Sequence, residues 1–207
     1  MKFPRIYSGF IPDERWRCAW IIPGFHHPSG LPMRHIMLSF SFLLLSWQVH
    51  AHGPTPQKAK ESVTIQVPLA KVWSELKNFD DIANWHTDLK KSTGDGKNQS
   101  GGLRTLTFQN DETITEELDY YNEAEHEYSY RLKTENPKAI PTSSHTVDVK
   151  VTAGETVDSS VVTIKSRFYR GDTGNTPPDN LSDEAAVKAM TQFFKNGLSG
   201  LKARLEK

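Results

Sequence analysis

SDEAAVKAMTQFFKNGLSGLKARLEK, residues 182–207, decides the fold. Val187, Met190, Phe194, Leu198, Leu201 and Leu205 recur every three or four positions, so the segment reads as one amphipathic helix of about 24 residues and ~36 Å with a single apolar stripe. Ser182 supplies an N-cap, and Asp183 and Glu184 stand where acidic side chains favour the positive end of the helix dipole. A stripe of that length needs a surface to cover. Gly197 and Gly200 interrupt it, and because glycine costs about 1 kcal/mol relative to alanine inside a helix, each marks close approach, expected to be to a sheet.

The segments upstream supply that sheet. Glu61 to Val67 alternates, with Val63, Ile65 and Val67 on one side, which is the period of a half-buried strand. Pro68 stops it and opens a short helix carrying Leu69, Val72, Trp73 and Leu76. Phe79 to Trp85 reads as a second short helical or turn-like piece. From Leu89, strands follow one another across turn residues: Leu103 to Gln109, Thr113 to Tyr121, His126 to Lys133, Ser144 to Thr152 and Ser160 to Arg170 alternate and are rich in Thr, Val, Tyr and Phe. Short links between consecutive strands imply an antiparallel meander. The expected fold is α+β, a helix-grip arrangement: a curved antiparallel sheet of about seven strands, two short helices after the first, and the long C-terminal helix over one face.

Met33 to Ala51 reads differently. Arg34 precedes an apolar run from Ile36 to Leu45, and Val49 and Ala51 place small residues at the −3 and −1 positions of a cleavage site, the pattern of a secretory signal. The run is shorter than the ~18 to 20 residues that cross a bilayer, so no stable membrane insertion is expected once the signal is cleaved; a retained anchor is the alternative. Residues 1–32 mix tryptophans, prolines and histidines without periodicity and are read as an untranslated or disordered extension. The organisation is then 1–32 extension, 33–51 signal peptide, 52–60 extended lead-in and 61–207 one domain, exported to the periplasm. A domain of this size buries roughly 70% of its unfolded surface and needs no staples.

Composition excludes several functions. Equal totals of 25 basic and 25 acidic residues with no like-charge run give no nucleic-acid footprint. The single cysteine, Cys18, lies upstream of the domain and excludes a disulfide framework or cysteine nucleophile within it. No GxSxG, HExxH or GxxxxGK[ST] segment is present. The acidic loop Asp172 to Asp179 lacks the EF-hand order and reads as a solvated connector. His52, at the mature N-terminus, has amine and imidazole groups suited to copper, but no spacing brings His86, His126 or His145 to it. No metal, cofactor or catalytic residue is assigned.

Alternation predicts inward faces of Ile114, Glu116, Leu118 and Tyr120; of Tyr128, Tyr130 and Leu132; of His145, Val147, Val149 and Val151; and of Val162, Ile164, Ser166 and Phe168. A one-residue slip would turn a whole set outward. Glu116, His145 and Ser166, facing Met190 and Phe194, are the few convergent polar groups of an apolar ligand pocket, or else polar members of a packed core. Trp85, beside His86, either gates that pocket, offers a partner surface or plugs the core. The ligand-binding set is therefore Trp85, Glu116, Tyr130, His145, Ser166, Phe168, Met190 and Phe194. A general acid–base pair of Glu116 and His145 rests on residue type alone.

The order of elements, the opening VTIQVPLAKVWSELKNF, the pair Trp85-His86 and the ending GLSGLKARL resemble the START/Bet v 1-like superfamily, also called the SRPBCC or polyketide cyclase-like group. The resemblance covers residues 61–206 and implies a helix-grip fold with a cavity between sheet and last helix. Within it, HGPTPQK, FYRGD and PPDNLSDEAAVKA look like periplasmic MxaD-like proteins of methanol-oxidation clusters. That narrower resemblance implies a periplasmic accessory role near methanol dehydrogenase or its cytochrome acceptor, and the expected function is an accessory or binding protein acting through contacts with such a partner or through a small hydrophobic ligand in the cavity. The rival readings are a cyclase- or dehydratase-like enzyme and a hydrophobic-ligand or lipid carrier.

Overall fold

The computed structural model describes residues 53–207; the signal segment, the extension before it and His52 lie outside the described residues. Seven strands form one antiparallel sheet: β1 (Gln57–Ile65), β2 (Leu89–Gly94), β3 (Leu103–Phe108), β4 (Thr113–Asn122), β5 (Glu127–Thr134), β6 (Thr142–Ala153) and β7 (Ser160–Arg170), in the order β1-β7-β6-β5-β4-β3-β2. Strands β2 to β7 run as a meander, and β1 pairs with β7 through nine residues in register, Gln57 opposite Phe168 to Ile65 opposite Ser160. The first strand thus starts at Gln57 and ends at Ile65, earlier at both ends than its alternation suggests. Ala59 is its only buried residue before Ile65, and too small an apolar side chain to announce a strand.

Pro68, with φ −55°, leads into α1 (Leu69–Leu76), which buries Val72, Trp73 and Leu76. A 3-10 turn, Phe79–Asn84, follows and buries Phe79 and Ile82. The chain closes with α2 (Asp183–Leu205), whose Ser182 hydroxyl accepts the Ala185 N–H at 3.2 Å. Its buried side, Ala186, Met190, Phe193, Phe194, Leu198, Leu201 and Leu205, lies against the inner face of the sheet. Near its end the helix also covers the free edge of β1: Lys202 Nζ donates to the Thr64 carbonyl at 2.7 Å, and the Glu206 carboxylate accepts the Gln66 N–H at 2.7 Å.

Inward alternation holds on β6 and β7, where His145, Val147, Val149, Val151, Val162, Ile164, Ser166 and Phe168 are all buried. On β4 it fails at one place. Leu118 pairs with Tyr130 but Tyr120 pairs with Ser129, so Asp119 is an extra residue on one strand. This bulge reverses the parity and turns Tyr120 outward, where it is 46% exposed. Tyr121 recovers the inward direction opposite Tyr128.

Candidate functional site

Under the N-terminal half of α2, the sheet carries a buried polar network. Arg104 stands on β3 two residues before Leu106 and four before Phe108, on the same inward face, and is paired in register with Glu116 on β4. Its Nε donates to Glu116 Oε2 at 2.7 Å, and Nη1 donates to the Phe79 carbonyl at 2.8 Å. Nη2 also lies 2.7 Å from Oε2 yet makes no well-directed hydrogen bond, because two nitrogens converge on one oxygen. The guanidinium is stacked over Phe79 at 4.0 Å and Tyr130 at 4.5 Å. The other carboxylate oxygen, Oε1, is 3.0 Å from His145 Nε2, and His145 Nδ1 is 3.3 Å from the Thr142 hydroxyl. None of these four side chains belongs to a residue more than 4% exposed.

Burial pushes the Glu116 pKa up, but the Arg104 charge and the His145 hydrogen bond outweigh it and hold the carboxyl below its ordinary range. Glu116 is an anion here, unsuited to deliver a proton as a general acid. Burial and the nearby Glu116 charge raise Tyr130 well above the usual phenol range, leaving it a neutral hydroxyl. An ion pair this deep gains little net stability over an apolar pair of the same shape, but removing one member strands the other.

Glu116, Tyr130 and His145 face a space closed by Met190, Phe193 and Phe194 from the helix, with Ile114, Ile140 and Val147 completing its wall. The side chains fill it, and no room for even a water molecule remains. Outside it lies an open cleft of about 340 Å³ between α2, the β3–β4 turn and the β5–β6 connection, with Asp88, Phe108 and Gln192 among its walls. Ile140 and Phe193 line both spaces and form the partition between them. Phe193 is stacked on His86 with ring centres 4.0 Å apart.

Five of the eight residues expected around a ligand therefore meet: Glu116, Tyr130, His145, Met190 and Phe194. The other three do not line the space. Ser166 donates its hydroxyl to the Thr146 carbonyl at 2.8 Å, and Phe168 is absorbed into the general core at 1% exposure. Trp85 is buried under the opposite half of the helix. A Cβ on Gly200 would stand 2.1 Å from the Trp85 carbonyl oxygen, and one on Gly197 would stand 2.6 Å from His86 Cδ2 and 3.2 Å from Trp85 Cζ3. The two glycines thus mark close approach to the Trp85–His86 segment, and the sheet is not their neighbour. His86 Nδ1 accepts the Asp88 N–H at 3.3 Å; burial first, then the Arg104 charge, lower its pKa to about 4.

Arg104, Ile140 and Phe193 escape the sequence reading. Phe193 falls three residues after Met190 on the same helical face, and Arg104 shares its face with Leu106 and Phe108, so both carry a periodic signal; Ile140, in a loop, carries none. Among the described residues no group of three or more His, Cys, Asp or Glu is placed to hold a metal ion, and no helix is long and apolar enough to cross a membrane.

Residues 56–206 match the family described as polyketide cyclase / dehydrase and lipid transport, and the chain belongs to that family. Solved structures share its fold. An uncharacterized protein from Bacillus thuringiensis has a TM-score of 0.61 at 22% identity, covering 73% of this chain and 100% of its own. A protein called XoxI from Bacillus cereus has 0.61 at 21%, covering 72% and 94%. A Nitrosospira multiformis protein has 0.57 at 21%, covering 72% and 96%. No curated protein matches the chain at the same stringency.

Proposed function

We propose that the protein binds a small apolar ligand between its sheet and α2, admitted from the outer cleft when Phe193 and Ile140 part. The shared partition carries this reading: two side chains separate an open cleft, within the roughly 300–1,000 Å³ of ligand sites, from a tightly filled inner space that opens only when they move. The inner walls are mainly apolar, and Tyr130, His145 and Glu116 supply the few polar groups that would orient a ligand. Native mass spectrometry of protein purified from its own host tests this; a co-purified apolar molecule released on Met190→Trp supports it, and an empty protein in every preparation contradicts it.

The setting we propose is the periplasm, as an accessory to methanol oxidation. The signal-like segment Met33 to Ala51 and the MxaD-like stretches HGPTPQK, FYRGD and PPDNLSDEAAVKA support it. Deleting the gene and measuring methanol oxidation, with methanol dehydrogenase and its cytochrome acceptor added back, tests the setting. An undiminished rate would remove it. An enzymatic reading gains less, because the carboxylate beside His145 is held ionised by Arg104.

A further inference from the structure

The outer face of the sheet carries a charge arrangement that the cavity does not explain. In the β1–β7 register, Lys58 stands opposite Arg167 and Lys60 opposite Lys165. All four are exposed and point away from α2. Strand spacing of about 4.8 Å and an i, i+2 rise of about 7 Å put four cations at the corners of one small rectangle. Like charges directly opposite on neighbouring strands destabilise a sheet, so each of the two rows has an energetic cost.

Across β4, β5 and β6 the cations of this face are neutralised, whereas Lys91 on β2 stands alone and, among the described residues, unpaired. Lys150 pairs with Glu127 at 2.7 Å, Lys133 with Glu117 at 2.6 Å, and Arg131 with Glu117 and Asp119. Among the described residues, none of the four in the rectangle has a carboxylate within 4.0 Å, although Asp148 stands opposite Lys165 in the next strand. Beside the rectangle runs a groove of about 440 Å³ whose near wall carries Lys60, Lys165 and Thr163 and whose far side carries Tyr120, Asp148 and the Lys150–Glu127 pair. Tyr120, turned outward by the β4 bulge, is 46% exposed and Tyr169, two residues beyond Arg167, is 37% exposed.

We propose that the outer face of β1 and β7 docks the acidic surface of a partner protein, with Lys58, Lys60, Lys165 and Arg167 meeting its carboxylates. Charge complementarity selects the partner: four clustered cations, none in an ion pair and only Lys165 with a carboxylate on the neighbouring strand, attract and orient an acidic patch. Exposed tyrosines at the margins are the side chains that anchor protein interfaces. An anionic bilayer fits less well, since Asp148, Glu127, Glu117 and Asp119 share the face and a flat array of headgroups would meet them too. The proposal is independent of whether the cavity holds a ligand.

The test uses the exported full chain, ¹⁵N-labelled, titrated with a deca-glutamate peptide and separately with vesicles of 30% phosphatidylglycerol in phosphatidylcholine. Peptide-induced shifts are expected at residues 58, 60, 165 and 167, fading by about 0.3 M salt as screening shortens to ~6 Å. K60E/K165E should weaken peptide binding at least tenfold, whereas K91E/K188E, with the same change in net charge, should stay within twofold. Shifts spread over all exposed lysines, equal losses in both variants, or vesicle binding through this face without peptide binding would overturn the proposal. K60E alone should raise the low-salt Tm by about 2 °C, because it replaces a like-charge row with an opposite-charge one. An unchanged or lowered Tm would refute the cost assigned to that row.

Discussion

The two halves of α2 meet the rest of the domain in opposite ways. Its C-terminal half is a clamp: Gly197 and Gly200 let the helix backbone approach Trp85 and His86 so closely that neither position has room for a Cβ. Its N-terminal half is a roof, where Met190, Phe193 and Phe194 stand over a charged network and Phe193 borders the open outer cleft. Close-packed interiors resist any change in volume, whereas a side chain bordering an open cleft lacks partner atoms on one side and yields more readily. The contrast teaches why the proposed entry lies at the roof, with the clamp holding the helix in register while Phe193 moves.

The largest expected effect breaks the roof's support. Arg104→Met leaves Glu116 as a buried carboxylate without its counter-charge, and a loss of about 3–5 kcal/mol is expected in urea denaturation. Adding Glu116→Gln should restore more than half of that loss, since no charge is then stranded. A double variant as unstable as the single one would show that the network's worth lies in shape and not in charge.

The clamp adds a histidine to the domain's acid sensitivity, beside the Glu116 carboxyl, which is likewise held below its ordinary range. His86 titrates near pH 4 in the folded protein and near its ordinary 6.5 in the unfolded chain. Between those values the unfolded chain binds the extra proton, so this contribution is intact above about pH 6.5. It is lost progressively as pH falls to 4, by up to roughly 3 kcal/mol. Denaturation midpoints at pH 7 and pH 4.5, in the wild type and in His86→Asn, measure it; an equal loss in the two proteins would mean that His86 is not confined as described.

A smaller effect separates the halves directly. Gly200→Ala gains about 1 kcal/mol of helix propensity but drives a methyl into the Trp85 carbonyl, which cannot rotate away. A net loss of about 1–3 kcal/mol is expected, in the range of overpacked cores. Ala189→Gly, on the roof half, should cost only the propensity of about 1 kcal/mol. Differential scanning calorimetry of the pair sharpens the comparison, and a stabilised Gly200→Ala would dissolve the clamp.

How far this was legible in the sequence depended on what each feature left in its pattern. The helix stripe, the Ser182 cap and the bounds of β7 are periodic or local and can be read directly. Tyr120 cannot, because a bulge inserts one residue without marking the alternation on either side. Arg104 was readable in principle, alternating with Leu106 and Phe108, but a lone arginine is so seldom buried that its inward position becomes credible only beside Glu116. The glycines announced a close contact without naming the partner. Their neighbour, the Trp85–His86 turn, is more than a hundred residues away in sequence, and tertiary packing alone brings it there. Ile140 owes its place in the partition to a loop whose path no periodicity encodes.

The most direct test of the ligand site is a titration of methyl-labelled protein with the neutral probe N-phenyl-1-naphthylamine, followed by NMR. The account predicts shifts confined to Ile114, Ile140, Val147 and Met190, with entry faster in Phe193→Ala than in the wild type. Absence of shifts at these methyls, or probe contacts only on the outer face of the sheet, would contradict it.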